Sequence, residues 1–300
     1  MKIVVTGGTG FLGRRLVAAL LGRGREVSVV TRDPSRARVP AGARAISWSD
    51  LPRAVDGAGA VVNLAGETIA QRWTAAAKDR IVGSRAEAAE RVGTALRTAK
   101  ARPAVLLNAS AVGFYGNRDD EELTEASGAG TGFLAETTIA WEEAARRATP
   151  DGVRLVLART GIVLGEEGGA LAKMLLPFRL GAGGPLGSGR QWMPWIHRDD
   201  LVALFLAALE DPRYEGAVNA VSPAPVTMRE FAATLGRVLR RPAFAPAPAF
   251  AIRAAMGEMA ALVLDGQKAL PARAASLGFR FRFGNLEAAL RDLLDRPSAA

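Results

Sequence analysis

Apolar positions along this 300-residue chain change period repeatedly. Short, nearly continuous apolar runs at residues 3–5, 26–30, 45–48, 59–63, 104–109 and 153–158 are bounded by turn residues, the mark of strands buried on both faces. Between them lie helix-forming stretches at residues 11–21, 73–100 and 133–147, the second weakened by Gly83 and Gly93 and closed by Pro103. Strand and helix in strict alternation predict an α/β fold with a doubly wound parallel sheet over residues 1–165. A further strand at residues 216–222 returns to that sheet.

Beyond Gly165 the pattern loosens. Helices are expected at residues 168–178, 200–209 and 227–239, and an extended connector at 241–250, where Pro242, Pro246 and Pro248 alternate with Phe and Ala. Residues 166–215 and 223–300 therefore read as a smaller C-terminal lobe. Arg190, Gln191 and Trp192, after the Gly-rich stretch 181–189, are candidates to line its substrate cleft.

Composition narrows the chemistry. Cysteine is absent and His197 is the single histidine, which removes disulfides, thiolate catalysis and histidine-rich metal centres, so no metal is expected. No apolar run reaches the ~18 residues of a membrane span, and the early glycines interrupt any secretory signal, so a cytoplasmic protein away from membranes is expected. The net charge of +9 suggests nucleic acid, but only five of the 39 basic residues are lysines and the arginines are scattered without a basic run. A nucleic-acid partner is not expected.

The most informative stretch is Gly7-Gly8-Thr9-Gly10-Phe11-Leu12-Gly13, set between a strand and a helix. Glycine spacing there suits a tight turn whose backbone approaches a pyrophosphate, with the free N–H groups of the helix start facing the anion. The second strand ends at Thr31-Arg32-Asp33, about 20 residues on, where such folds meet the adenosine ribose. Arg32 there pairs with a 2′-phosphate and favours NADP over NAD; Asp33, shifted one place, argues for NAD. Asn63, Ala65 and Gly66 end the fourth strand in small residues, letting a cofactor lie against it. Ser110 ends the fifth, at the place expected for the nicotinamide, with Tyr115 close behind.

Together with Asn63-Leu64-Ala65-Gly66-Glu67, Ser84-Arg85, Ser110 to Gly116, Arg159-Thr160-Gly161-Ile162 to Gly165 and Trp195 to Leu201, the glycine turn resembles the atypical extended short-chain dehydrogenase/reductases. More narrowly, the chain resembles the epimerase family proteins of the NAD-dependent epimerase/dehydratase type. Gly257-Glu258, Gly266-Gln267, Pro271 and Gly278-Phe279 match the C-terminal domain of those proteins, at about residues 245–295 here. The resemblance implies a Rossmann-type sheet with a smaller C-terminal substrate lobe and NADP(H) lying across the strand ends. It assigns Gly7, Gly10, Phe11, Leu12, Gly13, Arg32, Asn63, Leu64, Ala65, Gly66, Thr160, Gly161 and Ile162 to the cofactor. Glu67 joins Arg190, Gln191 and Trp192 on the substrate side, and analogy suggests a homodimer.

One element of the superfamily's chemistry is missing. Its Tyr-x-x-x-Lys proton-transfer pair has no counterpart, because aligning Glu142 with the acidic residue that follows the pair puts Leu134 and Thr138 at the two positions. Ser110 and Tyr115 are the leading catalytic candidates, with a carboxyl such as Glu136 or Glu67, or water, as alternative proton donors. Two functions stay open: an NADP(H)-dependent oxidoreductase or epimerase acting on a small molecule through another proton donor, and a non-catalytic NADP(H)-sensing protein.

Overall fold

The computed structural model describes residues 1–295. Seven strands form its central sheet: β1 (Lys2–Thr6), β2 (Glu26–Val30), β3 (Arg44–Ile46), β4 (Ala60–Asn63), β5 (Val105–Ala111), β6 (Arg154–Thr160) and β7 (Gly216–Ala220), in the spatial order β7-β6-β5-β4-β1-β2-β3. Every neighbouring pair is parallel. The strand order reverses between β1 and β4, and the crevice outside the carboxyl ends of those strands is where ligands of open α/β sheets bind.

Side-chain alternation divides the core. Ile3, Val5, Val27, Val29, Val62 and Leu107 face helices α1 (Phe11–Gly22) and α6 (Arg198–Glu210). Val4, Val30, Val61 and Leu106 face α2 (Leu51–Val55) and α3 (Ala75–Thr98) on the other side. Helix α4 (Phe133–Ala148) lies beside α3, and Gly93 lets it come close, since a Cβ there would stand 2.6 Å from the Ala148 Cβ. Gly93 thus serves the packing of a helix it was expected only to weaken. A second core joins α5 (Gly169–Arg179), α7 (Met228–Leu239) and the last helix, Leu286–Leu294, through Leu171, Phe178, Trp195, Phe231, Leu235 and Leu290. Thr227 and Glu230 start α7 with a reciprocal capping box.

One boundary moves. Helix α6 falls inside the 166–215 segment read as lobe, yet Leu201, Val202, Phe205 and Leu209 pack with Leu16, Val17 and Leu20 in the sheet's own core. The strand at 216–220 pairs with β6 as expected. The last five residues of the lobe lie outside the described residues. Among the described residues, no helix is long and apolar enough to cross a membrane.

Asp200 fastens the two parts together. It is 3% exposed, and its carboxylate accepts hydrogen bonds from the backbone N–H groups of Arg282 (2.9 Å) and Phe283 (2.8 Å). Asp200→Ala leaves both donors unmatched and is expected to cost about 2 to 4 kcal/mol. A lowered urea midpoint, with faster hydrogen exchange at Arg282 and Phe283, is the expected result; an unchanged midpoint contradicts it.

Candidate functional site

The turn between β1 and α1 has the geometry of an anion cradle. Gly7 holds φ at +67°, and a Cβ on Gly13 would sit 2.3 Å from the Gly7 carbonyl oxygen, so neither place admits a side chain. Helix α1 starts after Gly10 with no side-chain cap and no acidic residue in its first turn, which leaves its free N–H groups and positive dipole end to a ligand. The Phe11 ring is wedged against Gly165 and Gly168, so its backbone is the part turned to that role. Leu64 lies directly over the turn, its carbonyl oxygen 2.6 Å from where a Gly7 Cβ would stand. The residues present fit a dinucleotide pyrophosphate.

At the end of β2, Arg32 is exposed. Asp33, its competitor, is occupied locally: its Oδ1 accepts from the Ser35 hydroxyl (2.6 Å) and Ser35 N–H (3.1 Å), and Arg36 lies 3.5 Å from Oδ2. The Ser35 hydroxyl holds that carboxyl below its usual range. The Asp33 carboxylate is thus engaged within its own turn.

Behind the crevice, three adjacent strands share a buried hydrogen-bonded rung. Thr6 Oγ1 donates to Asn63 Oδ1 (2.6 Å), and Asn63 Nδ2 donates to Asn108 Oδ1 (2.6 Å). All three residues are fully buried. The loop after Asn63 is clamped from α3: the Glu67 N–H donates to Ser84 Oγ (2.9 Å) and Arg85 Nη1 donates to the Glu67 carbonyl (3.0 Å). At the end of β6, Thr160 Oγ1 donates to the Ala158 carbonyl (3.2 Å), while Gly161 and Ile162 turn into the lobe through bonds to the Ala220 (3.1 Å) and Pro194 (2.7 Å) carbonyls.

Ser110 and Tyr115 belong to one buried network. Ser110 Oγ donates to Glu142 Oε1 (2.7 Å), and Arg159 grips the same carboxylate through Nε (2.8 Å) and Nη2 (2.9 Å). Arg159 Nη1 then reaches the Tyr115 hydroxyl (3.1 Å), which donates to Asn219 Oδ1 (2.6 Å). Asn219 Nδ2 donates to the Leu270 carbonyl (2.9 Å), carrying the network into the C-terminal segment. Tyr115 is 0% exposed, and burial pushes its hydroxyl pKa up despite the Arg159 and Asn219 bonds. The Tyr115 hydroxyl is thus enclosed and held between Arg159 and Asn219. Leu134 and Thr138 pack against Gly113, and the Thr138 hydroxyl donates to the Leu134 carbonyl of its own helix (2.7 Å).

The substrate candidates fall in two places. Glu67 accepts from Gln71 (3.2 Å), with Arg80 3.9 Å away. Gln191 and Trp192 lie instead at the seam with the C-terminal segment: Gln191 Nε2 donates to the Val263 carbonyl (2.8 Å), and Trp192 Nε1 donates to Asp120 Oδ1 (2.7 Å) beneath the Lys268 ammonium, 4.9 Å from its ring centre. The Arg190 side chain is exposed on the preceding loop. A cavity of about 290 Å³, lined by Arg253, Glu258, Leu264 and Asp265, opens beside Val263, and Glu258 forms an ion pair with Lys78 at the start of α3. No cluster of His, Cys, Asp and Glu suited to a metal occurs among the described residues.

Sequence reasoning missed Glu142, Arg159 and Asn219 as the partners of Ser110 and Tyr115. The one available signal was polar residues inside apolar elements, as with Asn108 in β5 and Glu142 amid the Ala-rich face of α4.

Comparisons with known proteins agree with this architecture. The model of the NAD dependent epimerase/dehydratase family matches residues 3–221, and that of a domain of unknown function, DUF1731, matches residues 247–293. The epimerase family protein SDR39U1 homolog, chloroplastic, of Arabidopsis thaliana is 45% identical over 302 residues, covering 98% of this chain and 87% of that protein. Epimerase family protein YfhF of Bacillus subtilis is 38% identical, with 98% of each chain covered. Among solved structures, human epimerase family protein SDR39U1 (isoform 2), crystallised with NADPH, has a TM-score of 0.91 at 38% identity over 99% of this chain and 100% of its own. The glycine turn, the Rossmann-type sheet and the C-terminal segment therefore place the chain in the NAD-dependent epimerase/dehydratase family, among the epimerase family proteins that carry the DUF1731 domain.

Proposed function

We propose that this chain binds NADP(H) across the carboxyl ends of β1, β4 and β5 and acts on a small molecule in an oxidoreductase- or epimerase-like role. The observation that carries this reading is the uncapped, glycine-lined start of α1 combined with an exposed Arg32 whose acidic neighbour is already engaged. The NADPH in the human relative's crystal structure supports it. Gly7, Gly10, Phe11, Leu12 and Gly13 hold the pyrophosphate by their backbone, Arg32 meets the 2′-phosphate, Asn63 to Gly66 lie along the ribose, and Thr160, Gly161 and Ile162 flank the far end. Bound there, the nicotinamide supplies hydride chemistry. Glu67, Arg190, Gln191 and Trp192 are assigned to the substrate side.

The Ser110 hydroxyl donates its hydrogen bond to the Glu142 carboxylate, so toward a substrate it offers lone pairs and holds a hydroxyl by accepting its hydrogen bond. That arrangement orients a substrate without acting as an acid. The second reading, a non-catalytic NADP(H)-sensing protein, is favoured by Leu134 and Thr138 at the Tyr-Lys positions and by the enclosure of Tyr115.

Fluorescence titration with NADPH and NADH tests the cofactor assignment. The wild type is expected to prefer NADPH, and Arg32→Ala to lose NADPH affinity by about 10- to 100-fold, the worth of one charge-assisted hydrogen bond, while NADH binding stays level. Equal affinities for the two nucleotides in the wild type overturn it.

A further inference from the structure

Arg85 is a buried cation that hydrogen-bonds no carboxylate among the described residues. Its side chain leaves the middle of α3 and runs back one turn, where Nη1 donates to the Ile81 (2.8 Å) and Glu67 (3.0 Å) carbonyls. It is 9% exposed, and burial pushes its guanidinium down to about 10. The Glu67 carboxylate is the acidic group that acts on it electrostatically, but that carboxylate is bonded to Gln71 and faces Arg80. Among the described residues its Nε and Nη2 have no protein partner; neither atom is sealed in, so this edge of the guanidinium reaches solvent.

The opposite wall adds donors of the same kind. Helices α3 and α4 run parallel, with Lys78 over Phe133, Arg85 over Trp141 at 4.8 Å, and Gly93 against Ala148 as successive rungs. Because Arg85 reaches back to the level of Ile81, its guanidinium lies between the first two rungs. Thr137 occupies that level on α4, one turn before Trp141 and on the same helix side. Thr137 is 4% exposed and Trp141 8%, and the Thr137 hydroxyl and the Trp141 indole N–H are buried with no hydrogen-bond partner among the described residues.

Thr137 and Trp141 thus bring two buried, unmatched donors to the α4 wall, and the largely buried Arg85 cation lies against that wall over the Trp141 ring. Unmatched buried donors are destabilising, and an uncompensated buried charge more so. A water molecule would satisfy donors but leave the charge. A group that is both anionic and rich in acceptors answers both.

We propose that Arg85, Thr137 and Trp141 form an anion site between α3 and α4, beneath the Gly66–Glu67 loop, that takes a carboxylate or a small inorganic oxyanion. Gly66 lies directly over the Arg85 side chain and is exposed, so the site opens on the crevice side of that loop. The anion is either a free ion or the carboxylate of a larger molecule entering from the crevice. In either case Arg85 binds it with the edge that does not hold the loop.

The test is calorimetric titration of the full chain with acetate, butyrate and inorganic phosphate at constant ionic strength, in saturating NADPH so that the glycine turn is filled. NADPH binding is followed separately by nicotinamide fluorescence, so failure of the cofactor reading shows by itself. One equivalent of at least one probe is expected to bind. Arg85→Lys is expected to weaken it about tenfold or more, and Thr137→Val and Trp141→Phe several-fold each. Acetate binding without butyrate binding assigns a free-ion site; butyrate binding at least as tightly assigns a substrate carboxylate. Thr137→Val and Trp141→Phe remove a single donor and keep the Arg85 clamp, so they carry the test if Arg85→Lys fails to fold. No binding of any probe at tens of millimolar, or binding unchanged in the folded variants, overturns the proposal.

Discussion

Glu142→Ala is expected to destabilise the fold by about 3 to 5 kcal/mol, the usual consequence of stripping a buried ion pair of one partner. Arg159 is 3% exposed and takes both oxygens of the Glu142 carboxylate. Without it the guanidinium keeps the Tyr115 hydroxyl and the Phe114 and Tyr115 rings, 3.4 and 5.1 Å away, none of which carries a full negative charge. In a domain of this size that loss corresponds to a fall in Tm on the order of 10 °C, read by thermal unfolding. Replacing both partners with apolar residues, as in Glu142→Leu with Arg159→Met, is expected to cost less than Glu142→Ala alone, since no charge is left buried. A Glu142→Ala melt within about 2 °C of wild type contradicts the argument.

The same pair has a pH signature. Burial pushes the Glu142 carboxyl up, but the hydrogen bonds and charge of Arg159, helped by Ser110 and Arg146, more than offset it and leave the carboxyl below its ordinary range. A carboxyl depressed by folding contributes stability above its unfolded pKa and loses it as pH falls through the folded value. Glu142→Gln removes that titration and flattens the acid limb of the stability profile.

Much of the sheet was legible because strands buried on both faces leave apolar runs that little else explains. The runs at 3–5, 59–63 and 104–109 are such strands, and the glycine turn between two of the elements located the crevice. β3 was read slightly late, at 45–48, because Ser47 to Asp50 form a local turn in which the Asp50 carboxylate accepts from the Ser47 hydroxyl (2.6 Å). The short helix α2 carries Pro52 in its first turn and too few residues for a periodic signal.

The site was less legible because its partners are far apart in sequence. Tyr115 and Asn219 are separated by 104 residues and Ser110 and Glu142 by 32, and nothing local in either pair signals the other. A tyrosine behind a strand-end serine therefore reads as a proton donor, with nothing local to show the bonds its hydroxyl makes. Helix α6 is ambiguous in the sequence for a related reason. Its apolar residues fit either core, and only the packing of Leu201 and Phe205 against α1 decides between them.

Gly13→Ala is expected to lower NADPH affinity by about 100-fold or more, which is about 2.7 kcal/mol. The added Cβ would lie 2.3 Å from the Gly7 carbonyl oxygen and 2.6 Å from the Gly8 Cα, both backbone atoms that cannot turn aside as a side chain can. The turn must open, and the N–H groups at the start of α1 then no longer converge on one anion. Gly10→Ala is the matched control. Its φ of −75° suits any residue, and its nearest neighbour, again the Gly7 carbonyl oxygen, is 3.3 Å away, so affinity is expected to stay within about tenfold of wild type. The two alanines add the same atom three residues apart in one loop. A steep loss at 13 with a mild one at 10 ties binding to turn geometry rather than to glycine content, whereas equal, small losses at both mean that the nucleotide is held elsewhere.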